Sequence, residues 1–310
     1  MILRREFLLT PVVLLGAQTK LDRSCLSVLT DEVGPDIKSA IAFCKRYKLR
    51  WVELRVSTDH NLMYDALSIA QLKEAAKQLS DAGLRISFLN TAMLKYTLPG
   101  TVAVKSEDWY ENMYKRLGLT PEKMLAERKQ SLERALTAAQ ILGVKQIRSF
   151  TFWRVANPAS VYPRLKELFQ EMEAPAKKAG VRILVENEYS TNVATSDETV
   201  AFLKLLPSNQ FGLNWDPQNS ASAGEAVFPA GYNKLPKARI ANVQLKAEGL
   251  GLLGTGNPLD CGGIIRALYK DGYKGLIGLE THSEKPPAEN VPISHKCIEK
   301  LIELVELVNA

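Results

Sequence analysis

Histidine is scarce in this chain: 310 residues contain only His60, His282 and His295. Cysteine is nearly as rare. Cys25, Cys44, Cys261 and Cys297 show no CxxC or other metal-like spacing, which speaks against a zinc ribbon or a disulfide framework and leaves small buried thiols. Long hydrophobic runs are missing too. The run from Leu9 to Ala17 is broken by Thr10 and Pro11 and is far too short to span a bilayer. Charge of one sign is not concentrated anywhere. The net charge is +6, and Lys and Arg sit beside Glu and Asp on helical faces, so nothing points to nucleic acid. A glycine-rich phosphate turn is absent after the first strand, where the chain reads "LTDEVGPD". The late Gly254-Thr255-Gly256 has no G-x-x-G continuation, so a dinucleotide site is not indicated.

What is present is an ordinary globular composition, 46% hydrophobic and 24% charged, with ample material for a core. Residues 1–20 stand apart. Arg4-Arg5-Glu6-Phe7-Leu8, the short apolar run and the closing Gly16-Ala17 resemble a twin-arginine export signal, which implies an exported or periplasmic protein; a cytosolic tail is the alternative. Residues 21–310 are expected to form one domain.

From Cys25 onward, β-branched or apolar runs alternate with helical patterns. Strands are predicted at 26–29, 51–56, 85–89, 146–150, 182–186, 212–216, 240–246 and 276–280. Helices are predicted at 36–47, 68–82, 125–142, 162–179, 196–206, 263–270 and 291–308, with a degraded segment at 222–237. Gly83, Gly143, Gly180 and Gly272 are placed as helix stops. Eight strand–helix units predict an α/β fold closed as a (β/α)8 TIM barrel, with a doubly wound open sheet as the alternative. One connection is long: residues 90–124, after the third strand, carry Tyr96, Trp109, Tyr110 and Tyr114 and read as a lid or binding loop.

In a barrel strand, alternate residues face the helices and the interior, and inward residues at the C-terminal ends meet the mouth. Ile183, Val185, Leu213, Trp215, Val243, Leu245, Ile277 and Leu279 then face outward. Glu186 and Glu188, Asn214 and Asp216, Gln244 and Lys246, and Glu280 and His282 face inward. Three carboxylates, Glu186, Asp216 and Glu280, cannot share a desolvated mouth without a countercharge. A divalent cation meets that need. Oxygen ligands favour Mn²⁺ or Mg²⁺, with Co²⁺ or Zn²⁺ as alternatives, and Lys246 could supply part of the charge instead. The second strand adds inward Glu53 and Arg55 with Asp59-His60 beyond; Trp153 and Arg154 follow the fourth. These are either substrate contacts or a structural network.

Three stretches, "ILVENE", "GLNWDPQN" and "GTGNPLDCGGIIRALYKDGYKGLIGLETH", resemble the xylose isomerase-like TIM barrels, the sugar isomerase and epimerase group that includes tagatose 3-epimerase and inosose dehydratase. The resemblance implies a metal held by Glu186, Asp216, Gln244 and Glu280, with Glu186 and Glu280 as the proton-transfer pair. Glu53, His60, Trp153, Glu188, Asn219, Lys246 and His282 are then expected around the substrate. The chain departs from the family pattern at three points: Gln244 replaces a histidine, Asn219 stands where Asp-x-x-His has its histidine, and "AEGLGLL" after the seventh strand lacks the arginine that binds substrate in some members. Three histidines are too few for the multi-zinc cluster of endonuclease IV on the same fold.

The reading is a metal-dependent sugar isomerase or epimerase working through an enediolate on a small carbohydrate. A lyase or hydratase on a keto-sugar or keto-cyclitol shares its first step, and a degenerate, non-catalytic sugar-binding protein is a further alternative. A homo-oligomer is compatible with the resemblance.

Overall fold

The computed structural model describes residues 21–308 except 255, 257 and 284. The twin-arginine stretch expected at 1–20 lies outside the described residues.

Eight parallel strands close into a barrel: β1 (Leu26–Leu29), β2 (Trp51–Leu54), β3 (Arg85–Leu89), β4 (Gln146–Ser149), β5 (Arg182–Glu186), β6 (Phe211–Trp215), β7 (Ile240–Lys246) and β8 (Leu276–Glu280). β8 pairs with β1, so the barrel sheet itself has no free edge. Helices α1 (Ile37–Tyr47), α2 (Ile69–Asp81), α3 (Arg128–Leu142), α4 (Tyr162–Ala179), α5 (Ser196–Lys204), α6 (Pro217–Ser222), α7 (Cys261–Lys270) and α8 (Pro287–Leu307) follow the strands in order.

Local chemistry sets the helix ends. Ser68 and Gln71 form a capping box at the start of α2, and Thr195 and Glu198 form another at α5. Gly143 ends α3 and Gly180 ends α4, both left-handed, a conformation that costs glycine nothing. After β6 the helix is short and only brief helical turns follow, at Val227–Gly231, Tyr232–Lys234 and Lys237–Arg239, as Pro229, Gly231 and Pro236 make a long helix costly.

The outward residues Val28, Val52, Ile147, Ile183, Leu213, Val243, Ile277 and Leu279 are all at most 1% exposed beneath the helices. Burying each such side chain is worth roughly 1.5–3 kcal/mol, which anchors the alternation and so fixes which residues point inward.

The third crossover is not structureless. It contains a two-turn helix, Asp108–Arg116, and a shorter one, Pro121–Ala126. β3 and β4 pair at only one position, Leu89 with Ile147. The loop closes the rest of that seam. Phe150, Phe152 and Trp153 donate backbone N–H groups to the carbonyls of Met93, Leu94 and Tyr96 at 2.8–2.9 Å.

Candidate functional site

The inward residues form two layers. The lower one is built on Glu53. Oε1 of Glu53 accepts from Ser27 Oγ at 2.9 Å and Asn242 Nδ2 at 3.2 Å; Oε2 accepts from Asn90 Nδ2 at 3.1 Å and Gln244 Nε2 at 2.7 Å. Both carboxylate oxygens are thus occupied by neutral donors inside the barrel, and burial pushes the carboxyl upward from its usual pKa despite them. Glu53 is a hub of the barrel interior, below the ion pairs of the mouth.

Gln244 belongs to the same layer. Its register partner is Gly278, whereas Lys246 pairs with Glu280 one inward step nearer the mouth. The Gln244 amide donates to Glu53 and to Asn90 Oδ1 at 3.0 Å, and its oxygen accepts from Asn214 Nδ2 at 2.7 Å. Asn214 in turn donates to Glu186 and accepts from Asn242. Gln244 is therefore the joint of an amide ladder, and its oxygen is engaged below the mouth rather than presented to an ion there.

The upper layer is a chain of ion pairs. Arg148 Nη1 lies 3.1 Å from Glu186 Oε2. Lys246 Nζ lies 2.9 Å from Asp216 Oδ2, 2.6 Å from Asn219 Oδ1 and 3.8 Å from Glu280 Oε2. Arg55 reaches Asp31 at 2.8 Å and both Glu32 and Glu280 Oε1 at 2.7 Å. Lys95 meets Glu107 at 2.8 Å and Glu188 at 3.4 Å over the face of Phe150. Asn219 fixes the turn after β6: its N–H donates to Asp216 Oδ1, and its amide reaches the Asn187 carbonyl and Glu188. The mouth thus brings together Glu186, Asp216, Glu280, Glu188, Asn219 and Lys246 from four consecutive strands.

The surroundings push these groups in different directions. Burial raises Glu186 to about 7, helped by the carboxylates of Glu280, Glu188 and Asp216 and opposed by Arg148. Burial raises Asp216 to about 6, with Lys246 opposing. At Glu280 burial also acts upward, but Lys246, Arg55, His282 and Arg148 outweigh it and hold the carboxyl well below its usual range. Glu188 is likewise held down, its burial outweighed by Lys95 and Lys246. Burial disfavours the Lys246 ammonium, but Asp216, Glu280 and Glu188 outweigh that and keep it charged.

His282 is half-exposed beyond β8, with its backbone N–H on Glu32. The Lys246 ammonium, followed by burial, presses its imidazole down to about 4. Two expected contacts are elsewhere. His60 is exposed in the turn of a small hairpin, Val56–Ser57 with Leu62–Met63, and no hydrogen bond joins its side chain to the mouth among the described residues. Trp153 is fully buried and donates its indole N–H to Glu111, tying the helix of the long loop to the end of β4. That loop borders a cavity of about 480 Å³ lined by Met63, Met93, Met113 and Met124 with Tyr96 and Trp109, and none of the ion-pair residues of the mouth lines it.

Sequence reasoning missed Arg148, Lys95 and Glu32. Arg148 carried a signal, since it alternates with Ile147 in β4 and must face inward. Lys95 and Glu32 lie in loop and one-turn segments where no periodicity assigns a direction.

The implied metal can be tested against these contacts. Glu186 is held by Arg148 and Asn214, Gln244 by the amide ladder, and Asp216 and Glu280 by Lys246. Glu32, Glu280 and His282 bring one ligand atom each within 4.8 Å of one another, yet the Arg55 guanidinium bridges the two glutamates. The countercharge that the carboxylates require comes from protein cations, and the residues as arranged do not fit a divalent ion.

No curated protein matches the chain. Solved structures do. L-ribulose 3-epimerase aligns with a TM-score of 0.66 at 18% identity, covering 92% of this chain and 98% of that one. D-allulose 3-epimerase from Methylomonas sp. aligns at 0.64 and 19% identity, covering 94% and 100%. The IOLI protein, solved with a binding zinc atom, aligns at 0.63 and 13% identity, covering 91% and 98%. At such identities these likenesses speak for the fold. The profile of the xylose isomerase-like TIM barrels matches residues 41–301, and with the closed eight-stranded barrel it shows that the chain belongs to that family.

Proposed function

We propose that this protein is a sugar isomerase or epimerase in which Glu280 and Glu186 are the proton-transfer pair. One observation carries the reading. Two buried carboxyl groups, at the ends of β8 and β5, stand at one mouth whose charges push their protonation in opposite directions. Paired titratable groups separated in this way are the signature of acid and base assignments. Sugar epimerases and isomerases among the structural relatives give the substrate class, a small carbohydrate with a carbonyl.

In this reading Glu280, ionised at neutral pH, takes the proton from the carbon beside the carbonyl. The C–H electron pair moves into a new C=C bond, and the carbonyl π pair moves onto oxygen, giving an enediolate. Glu186, protonated up to about pH 7, returns a proton to carbon as the carbonyl re-forms. Return to the opposite face inverts the centre; return to the neighbouring carbon, with the hydroxyl proton passing to the former carbonyl oxygen, isomerises the sugar. A Mn²⁺- or Mg²⁺-dependent form does not fit the contacts at the mouth, and no step here runs through an ion. The twin-arginine stretch supports action outside the cytoplasm.

The test is incubation with a panel of keto- and aldosugars in D2O, followed by NMR. Deuterium entry and a new epimer or isomer are expected, and both are lost in Glu186→Gln and in Glu280→Gln. Undiminished turnover by these two variants overturns the mechanism. Release of water or of an aglycone would turn the same first step into that of a lyase.

A further inference from the structure

We propose that the Lys246 ammonium is the electrophile of this site, occupying the place that a divalent ion holds in the metal-dependent form of the reaction. The proposal rests on the isomerase or epimerase reading for its catalytic half; the claim about ion binding stands by itself.

Two buried carboxylate oxygens, Asp216 Oδ2 and Glu280 Oε2, have no hydrogen-bond partner. Such oxygens need a cation. The charge nearest to both is one ammonium, Lys246 Nζ, at 2.9 Å and 3.8 Å. The remaining implied ligands are turned elsewhere: Glu186 to Arg148 and Asn214, Gln244 to Glu53, Asn90 and Asn214. An ion entering here would stand beside Lys246 and close to Arg55, which holds the other oxygen of Glu280. Like charges at that spacing in a buried mouth repel strongly, so the built-in cations exclude the ion as well as replace it.

The ammonium also has capacity to act. It carries three N–H donors. Asn219 Oδ1 at 2.6 Å takes one, and Asp216 Oδ2 stands 2.9 Å away as an ion-pair partner. Glu280 Oε2, at 3.8 Å, is beyond hydrogen-bond reach, which leaves a donor free. A substrate carbonyl oxygen received by that donor would lie beside Glu280, the base. Charge developing on this oxygen as Glu280 takes the proton is met by a fixed cation already held by the Asn219 acceptor and the Asp216 ion pair. Asn219 matters here because a neutral acceptor leaves the ammonium less fully neutralised than a third carboxylate would.

Two measurements test the proposal. The first is the divalent-metal content of the purified protein, with calorimetric titration of Mn²⁺ into the chelator-treated wild type. The expected result is no stoichiometric ion and no binding below millimolar concentration. One ion per chain, or micromolar affinity, overturns the proposal whether or not any sugar is turned over. The second is Lys246→Met, whose fold is checked by circular dichroism. Turnover that survives chelator in the wild type and falls at least about 100-fold in kcat in this variant is expected, the loss typical of removing one donor to a developing oxyanion. Turnover abolished by chelator and restored by Mn²⁺ overturns it. Absence of any sugar turnover, with no ion bound, removes the catalytic half together with the functional reading and leaves the ion-exclusion result in place.

Discussion

Arg148 Nη1 stands 3.1 Å from Glu186 Oε2, and the two side chains are only 3% and 2% exposed. The pair joins β4 to β5 in the interior of the barrel, where neither charge has water to fall back on. Arg148→Met leaves the Glu186 carboxylate without its cation, and removing one partner of a buried pair costs about 3–5 kcal/mol. Urea unfolding at about pH 8.5, above the Glu186 value of about 7, is expected to show that loss. The double variant Arg148→Met/Glu186→Gln should recover part of it, because no charge is then stranded.

Glycine at position 278 is a spatial requirement. A Cβ there would clash with Glu53 Oε1, and Glu53 is held in place by four donors. Gly278→Ala must therefore push the hub of the lower layer. A loss of about 1–3 kcal/mol is expected, typical of an overpacked interior. The urea midpoint should fall with an unchanged m-value.

Gln244→His separates two accounts of that position. Were the side chain short of being a metal ligand only by its chemistry, the histidine would confer ion binding. The amide ladder leads to the opposite expectation. Histidine cannot supply two donors to Glu53 and Asn90 and an acceptor to Asn214 from the same place, so buried polar groups lose partners at about 1–3 kcal/mol each. Thermal unfolding should show destabilisation, and Mn²⁺ titration should match the wild type.

The pH dependence has a definite sign. Glu186 and Asp216 have folded values raised to about 7 and about 6. A carboxyl raised on folding contributes stability at pH values below its unfolded value, and that contribution is lost as pH rises through the folded one. Stability should therefore decline between about pH 4.5 and 7, and Glu186→Gln should flatten the decline. Glu280 is depressed, so its contribution is present at neutral pH and is lost only in acid well below the ordinary glutamate range. Melting temperatures of wild type and variant at pH 5, 6, 7 and 8 check both signs. In the proposed reaction Glu186 must also carry a proton, so kcat/KM should fall as pH rises through about 7.

The barrel was legible because its signals are local and repeated. Outward residues such as Ile183, Val243 and Leu279 must be apolar to pack beneath helices, and their alternation assigns Glu186, Gln244, Lys246 and Glu280 to the interior with no knowledge of the fold. The ends of α4, at Tyr162 and Ala179, follow from the apolar period and Gly180. The segment after β6 and the loop after β3 were less legible. Proline and glycine mark where a helix cannot run, not what the chain does instead.

Direction along an inward row lay beyond that pattern. Gln244 and Lys246 share a face and a strand, yet one binds Glu53 below and the other Asp216 at the mouth. Their separation depends on Ser27, Asn90 and Asn214, which come from three other strand regions and meet Asn242 of the same strand only when the barrel closes. The same holds for charge. The alternation by itself determined that three carboxylates share one mouth and need a countercharge. Only the tertiary structure decided that Arg148, Arg55 and Lys246 supply it, because an ion pair depends on distance in space, and these partners lie between 30 and 225 residues apart along the chain.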